Sequence, residues 1–428
     1  MVPLFVLDPR LWGPAGPARR TWLVRSLAAL RESTGGALVV RHGDPAAEVA
    51  AVASAARADT VHVSADAGVY GRRRDAAVEA ALALDGRTLQ RTGSPYAVGP
   101  GLLLTADARP YQVFSAYARA WRAHGAAPPA ALPPDLQWRR PVADPRIRDD
   151  IPDEPPLDSL ELPEVGEKAA LARWHDFLDG ALRGYGSQRN RPDLDGTSAL
   201  SAHLKYGELH PRTLLADLRG VAGDDAERFR TELCWREFYA DVLWHAPHSA
   251  WADLRPTLSA MTYDTGADAD ARFEAWAQGR TGFPVVDAGM RQLRAIGWVH
   301  NRVRMIVASF LVKDLHLPWQ RGARHFLHHL RDGDVASNSH GWQWVAGTGT
   351  DPAPYFRIFN PVKQGLEHDP DGAYVRRWVP ELRSVSGSAA HEPWRLPGGL
   401  PAGYPARIVD HATERAEALR RYAEARAT

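Results

Sequence analysis

Two changes of hydrophobic periodicity divide this chain and limit the folds open to it. Over residues 1–110, short apolar runs alternate with Ala- and Leu-rich stretches. Leu4-Phe5-Val6-Leu7, Ala37-Leu38-Val39-Val40 and Thr60-Val61-His62-Val63 predict strands, and residues 21–32, 46–58 and 75–84 predict the helices between them. Strand–helix–strand order of this kind specifies a parallel, doubly wound sheet. A Pro-rich stretch from about 128 to 163 then interrupts the pattern, and from about 167 the periodicity is helical almost throughout. The expected organisation is an α/β domain over 1–127, an interdomain linker over 128–166 and an all-α domain over 167–428.

Bulk properties agree with two domains. At 428 residues the chain exceeds what one core usually serves, and its 45% hydrophobic content is ample for two. The single cysteine, Cys234, excludes a disulfide framework and suits a reducing cytoplasm. The start, Met1-Val2-Pro3-Leu4-Phe5-Val6-Leu7-Asp8, has no basic leader, and no apolar run is long enough to span a bilayer, so a soluble cytoplasmic protein without membrane contacts is expected. A net charge of +1 does not announce a nucleic-acid binder. A local basic face would suffice, and Arg291, Arg294, Arg302, Arg304, Lys313, Arg321 and Arg324 crowd one helical region, although a solvated helix surface explains most such runs.

Of the 15 tryptophans, 11 lie beyond residue 167. Each needs apolar packing and a partner for its N–H, so the helical domain has room for planar ligands as well as a large core. Four segments there combine unusual chemistry. Asp195-Gly196-Thr197-Ser198-Ala199-Leu200-Ser201 leads into a helical pattern; Thr197 or Ser198 suits an N-cap, and simple capping competes with anion binding. In Glu232-Leu233-Cys234-Trp235-Arg236-Glu237-Phe238-Tyr239, positions 232, 235, 236 and 239 share a helix face bearing an acid, a stacking plane, a guanidinium and a phenol. In Trp298-Val299-His300-Asn301-Arg302-Val303-Arg304-Met305, positions 298, 301, 302 and 305 do the same, with Arg302 able to clamp a phosphate bidentately. Finally, Asp332-Gly333-Asp334-Val335-Ala336-Ser337-Asn338-Ser339-His340-Gly341-Trp342-Gln343-Trp344 sets two carboxylates and an amide beside two oxidisable rings, ahead of the turns Gly347-Thr348-Gly349-Thr350-Asp351 and the run Tyr355-Phe356-Arg357-Ile358-Phe359-Asn360-Pro361. A helix cap followed by core tryptophans is the plainer reading of either half of that segment.

Together these segments resemble the photolyase/cryptochrome family, specifically its class I cyclobutane-dimer DNA photolyases. The resemblance covers nearly the whole chain and is densest over 185–380. It implies an FAD cofactor in the helical domain, damaged DNA as partner, light-driven electron transfer as chemistry, and no metal. Tyr185, Thr197, Ser198, Ala199, Leu200, Ser201, Arg236, Asn301, Arg304, Asp332, Gly333, Asp334 and Asn338 match flavin-binding positions, with Arg304 expected to pair with Asp332 and Asn338 to face the flavin N5. Arg189, Glu232, Trp235, Asn301, Arg302, Met305, Trp344 and Gln364 match lesion- or DNA-contacting positions, Trp235 and Trp344 as the two walls around a flipped dimer. Trp342 and Trp319 match the first two members of an electron relay, with Glu232, Asn338 and the two rings forming the catalytic set.

Two departures and one discriminator accompany the resemblance. The third relay position holds Gly266, for which Tyr263 or Trp276 is a candidate replacement. Family members usually begin with a further strand and helix carrying an Arg-Asp-Leu-Arg-like signature. Here the first strand matches their second, so either translation starts upstream of Met1 or the sheet lacks its first central strand; the upstream start is favoured, because losing a central strand leaves unpaired backbone. The antenna chromophore, a deazaflavin or a folate in relatives, is consequently left open, and a monomer is expected. Relatives that repair (6–4) photoproducts carry histidines where this chain has Asn301 and Met305, which favours the cyclobutane dimer. A cryptochrome-like photoreceptor is the alternative; such proteins commonly carry a C-terminal extension, whereas this sequence ends in a surface-helix pattern around 414–422. A flavin-free nucleic-acid-binding module is disfavoured, because Asp332, Asp334 and Asn338 would then serve nothing.

Overall fold

A computed structural model describes residues 1–140, 149–258, 260–350 and 356–427. Strands β1 (Leu4–Leu7), β2 (Val39–His42), β3 (Thr60–Val63) and β4 (Thr88–Arg91) alternate with helices α1 (Pro17–Ser33), α2 (Pro45–Ala55) and α3 (Val69–Ala83). Both ladders are parallel, β1 with β2 and β3 with β4, in register Leu4↔Val39 and Thr60↔Thr88. No ladder joins the two pairs among the described residues. Leu27, Leu38 and Val40 form the core under one pair; Ala53, Val78 and Leu82 pack with Val61 and Leu89 under the other. Asp44 caps α2 by accepting from the Ala46 and Ala47 amides, and Pro45 fits the first turn, where no N–H is required.

Chain contacts divide the protein into two compact units. One contains 1–158, 162–176 and 199–247; the other contains 159–161, 177–198 and 248–428. The first therefore gains α5 (Ser201–Tyr206) and the long α6 (Asp224–His245) besides α4 (Phe114–His124). The sequence pattern around α6 holds its own explanation: Asp224, Asp225 and Glu227 sit in the first turn and His245 in the last, complementing the helix dipole.

The second unit is helical. Its core gathers Trp276, Phe283, Phe310, Leu311, Trp319, Phe326 and Trp342. Helices α7 (Pro284–Ile296), α8 (Asn301–Ser309), α9 (Trp319–His329) and α10 (Val335–Ala346) surround it. Asp287, fully buried on α7, ties the loop ahead of its helix by accepting from Thr281 and Gly282 amides and from the Tyr404 phenol. No helix among the described residues is long and apolar enough to cross a membrane, and no group of three or more metal-ligating side chains is found among them.

Candidate active site

Helix α10 carries or adjoins several of the expected site residues of the second unit. Asp334 is its N-cap and accepts from the Ser337 amide at 2.8 Å, so the plainer reading holds for this carboxylate: it caps. Asp332 keeps the other expectation. It is buried and receives Arg304 Nη2 at 2.8 Å, while Arg304 Nε donates to the Val299 carbonyl. Gly333, between them, is buried.

Asn338 and Trp342 lie four residues apart and therefore on one face of α10, turned toward α9. The Asn338 Nδ2 donates to the Ala323 carbonyl of α9 at 3.0 Å. That bond fixes the flip of the amide and leaves Oδ1 as the group available to a ligand. Trp342 lies on Gly322, where an added Cβ would meet its Cη2 at 2.1 Å. Trp319 starts α9 one turn earlier on the same face, fully buried. Its indole N–H donates to Asp253 Oδ1 at 2.7 Å.

At the third relay position, Gly266 is the N-cap of a helix, with φ +87°, a conformation that favours glycine. Of the two candidate replacements, Trp276 meets Trp342 edge-on at 6.1 Å between centroids and donates to the Val307 carbonyl. Tyr263 has its phenol pushed up to about 12 by burial and by the Asp253 charge, and so stays protonated.

The 298–305 segment needs a correction. Helix α8 begins only at Asn301, with His300 as N-cap accepting from the Arg302 amide, so Trp298 lies off the helix and does not share its face. His300 is held down to about 4 by burial and by the Arg302 and Arg304 charges. Being neutral and accepting at Nδ1, it carries its proton on a buried Nε2 that has no partner. Asn301 is exposed; Met305 is half-buried against the core. Arg302 donates to Asn190 Oδ1 at 3.0 Å.

Tyr185 is buried against Phe177, with the Arg189 guanidinium 5.7 Å from its ring. Trp344 is half-buried beneath Arg357. Gln364 donates to Glu367 and lines a groove of about 550 Å³ with Lys363, His411 and Arg415. Asp351 and Tyr355 lie outside the described residues.

The 197–201 segment also departs from expectation. Neither Thr197 nor Ser198 caps α5; Leu200 is its N-cap and makes no side-chain bond. What the segment offers is backbone. Ala199 is left-handed at φ +53° and Leu200 follows at φ −83°, ψ 0°, a change of hand of the kind from which anion-binding nests are built. Ser201 is exposed at the helix start.

On α6, Trp235 has one ring face fully covered by Phe114 of α4, at 3.5 Å between centroids and 6° between planes. Nothing in the sequence pointed to Phe114, which is remote from every motif. Arg236 was expected toward the flavin, but its two terminal nitrogens bond the Pro95 and Leu204 carbonyls and its guanidinium lies over Tyr96. It braces the 95–101 segment and α5 against α6. Glu237 and Asp241 extend the same brace, accepting from the Ala97, Val98 and Gly101 amides and the Trp121 indole. Glu232 is half-buried on the face shared with Trp235.

Comparisons with known proteins identify the family. A family model described as the FAD binding domain of DNA photolyase matches residues 229–424, and one described as DNA photolyase matches 1–135. A deoxyribodipyrimidine photo-lyase from Streptomyces griseus is 41% identical over 97% of this chain and 92% of its own length. The chain belongs to the photolyase/cryptochrome family. Among solved structures, a class III photolyase from Agrobacterium tumefaciens superposes with TM-score 0.90 at 38% identity, covering 100% of this chain and 92% of that one. A cryptochrome from Synechocystis gives TM-score 0.86 at 27% identity over 97% and 92%. Within the second unit, the family's flavin fits the donor set found here: a buried Asp332 paired with Arg304, and an oriented amide beside a tryptophan.

Proposed function

We propose that this photolyase-family protein repairs cyclobutane pyrimidine dimers in DNA with light, as a cytoplasmic monomer using FAD. The observation that carries the reading is the shared face of α10, where Asn338 and Trp342 stand one turn apart, each locked to α9. When bound, FAD supplies light absorption and the electron that splits the dimer; the protein supplies position and electrostatics. Asn338, its donor already spent on Ala323, would offer a bound ring an acceptor without imposing charge. Asp332 and Arg304 hold opposite charges at fixed places, so the pair would orient a ligand at little net charge. Trp342 of α10 and Trp319 of α9 supply the oxidisable rings of the path.

Photolyases are among the enzymes that take their target out of the base stack. Trp235 offers its uncovered face to the extruded dimer, the other being fixed by Phe114. Asn301 and Met305, in place of histidines, favour the dimer over the (6–4) lesion. Class I was expected, whereas a solved structure similar over the entire chain is a class III photolyase, and Gly266 already breaks the expected relay. The antenna, deazaflavin or folate, stays open.

A light-dependent assay on a defined thymine dimer, with a (6–4) substrate alongside, tests the reading. Repair of the first alone is expected; flavin photoreduction without any repair would favour the photoreceptor instead. Trp235→Ala is expected to weaken binding of dimer-containing DNA roughly 5- to 150-fold, since stacking contributes about 1–3 kcal/mol per base. Flavin content should change little, and equal loss of both, read from titration and absorbance, would remove Trp235 from the lesion pocket.

A further inference from the structure

The indole nitrogens of the two fully buried tryptophans near Trp342 are satisfied differently. Trp276 donates to a backbone carbonyl, but Trp319 donates to a carboxylate, Asp253 Oδ1, at 2.7 Å. Asp253 lies in a stretch without regular secondary structure, so its position has to be imposed from outside. Helix α10 imposes it. Ser339 Oγ donates to the Ala250 carbonyl at 2.8 Å, Gln343 Nε2 to the Ser249 carbonyl at 2.7 Å, and the Leu254 amide to Gln343 Oε1 at 2.7 Å. Ser249 Oγ bonds His340 Nε2 at 2.9 Å, and the Arg255 amide donates to the Thr348 carbonyl. His340 Nδ1 faces the Ala336 carbonyl at 2.7 Å, so that nitrogen carries the proton and Nε2 accepts the serine hydroxyl. Ser249, Ser339, His340 and Gln343 are fully buried. The helix that carries Trp342 therefore also holds a carboxylate against Trp319.

We propose that Asp253 is the proton acceptor of the electron relay. Once Trp342 has lost an electron to the photoexcited flavin, Trp319 replaces it. The Trp319 Nε1–H bond then breaks and an O–H bond forms at Asp253 Oδ1, leaving a neutral indolyl radical and a neutral carboxyl. A thiol reductant from solution returns one electron to the indolyl radical, and Asp253 returns the proton. The inference rests on Trp342 and Trp319 being the relay. Its physical basis is the expense of a cation in a buried apolar site. Moving the proton cancels a positive and a negative charge together, and the electron cannot fall back unless the proton returns as well. Asp253 is only half-buried, so the transferred proton has access to water.

The test uses the full chain. In the flavin-free protein, the Trp319 indole N–H resonance, assigned with Trp319→Phe, should move in Asp253→Asn while the remaining dispersion shows the fold intact. An unmoved resonance would mean that the bond is absent and would overturn the proposal. In the flavin-loaded protein, flash absorption should detect a neutral indolyl radical whose formation slows in D₂O. Asp253→Asn should leave a radical cation that returns its electron roughly tenfold faster or more, each 1.36 kcal/mol of lost trapping being tenfold in rate. Asp253→Glu should restore the neutral radical. A wild-type radical, lifetime and isotope effect in Asp253→Asn would defeat the assignment of Asp253 while leaving the relay standing. Unchanged photoreduction in Trp319→Phe would instead defeat the relay, and this inference with it.

Discussion

Glu237→Ala is expected to destabilise the first unit by about 3–5 kcal/mol, a large fraction of a domain's stability. The carboxylate is fully buried and accepts three donors: the Ala97 and Val98 amides and the Trp121 indole, the last two at 3.0 and 2.6 Å. Truncation leaves all three N–H groups buried and unpaired. Glutamine is not a neutral substitute, because one of its two terminal atoms is itself a donor and would face an N–H whichever way the amide turned. Its loss should be smaller than that of alanine but well above 1 kcal/mol. Burial is the larger influence on Glu237 and raises its pKa, although the three hydrogen bonds and Arg236 pull it down. For a raised folded value, the stabilisation linked to protonation is complete below the unfolded value near pH 4.3 and is lost as pH rises through the folded one. The wild type should therefore show a fall in stability above roughly pH 4.3 that Glu237→Gln lacks. Urea denaturation of both across acidic and neutral pH measures the loss and the slope. A cost below about 1 kcal/mol for alanine would mean that water replaces the brace.

The same brace shows what the sequence made legible and what it did not. Strands at Leu4–Leu7 and Thr60–Val63 appear where alternating apolar runs put them. β4 at Thr88–Arg91 escaped because Thr-Leu-Gln-Arg carries a single apolar side chain on a mostly exposed strand, too little for periodicity to register. The strand expected at 37–40 runs from Val39 to His42, carrying its pairing into a polar end that hydrophobicity cannot mark. Within the site, spacing found the shared face of Glu232 and Trp235, which one helix decides, while Asn338 and Trp342 came from family resemblance and prove to share a face of α10. It failed wherever a partner came from elsewhere in the chain. Family resemblance places Arg236 at the flavin, yet its orientation is set by carbonyls at Pro95 and Leu204. Phe114 and Asp253 belong to no motif, and only folding brings them against Trp235 and Trp319. Capping chemistry misled at Thr197 and Ser198, where the backbone turns left-handed at Ala199 and Leu200 takes the cap position.

The second large effect is expected at Gly322, a residue whose only property is the absence of a side chain. A Cβ there would lie 2.1 Å from Trp342 Cη2, 2.4 Å from its Cζ3 and 2.6 Å from Leu311 Cδ2, far inside contact distance. Gly322→Ala must push the indole or part α9 from α10, an overpacking that costs about 1–3 kcal/mol or more. Trp342→Phe makes the opposite error. Phenylalanine lacks Cη2 and Cζ3, so it leaves a void over Gly322, with a loss of similar size. The two errors fill one another. The double variant Gly322→Ala/Trp342→Phe should be more stable than the sum of the single changes predicts, by about 0.5–3 kcal/mol of favourable coupling. Photoreduction behaves otherwise, because a phenyl ring is a far poorer electron donor than an indole. It should be slowed in Gly322→Ala, where the indole is displaced, and nearly abolished in both proteins carrying Trp342→Phe, including the repacked one. Thermal denaturation of the four proteins, read beside their flavin photoreduction rates, separates packing from electron transfer. Recovery of photoreduction along with stability in the double variant would show that Trp342 serves this core only as volume.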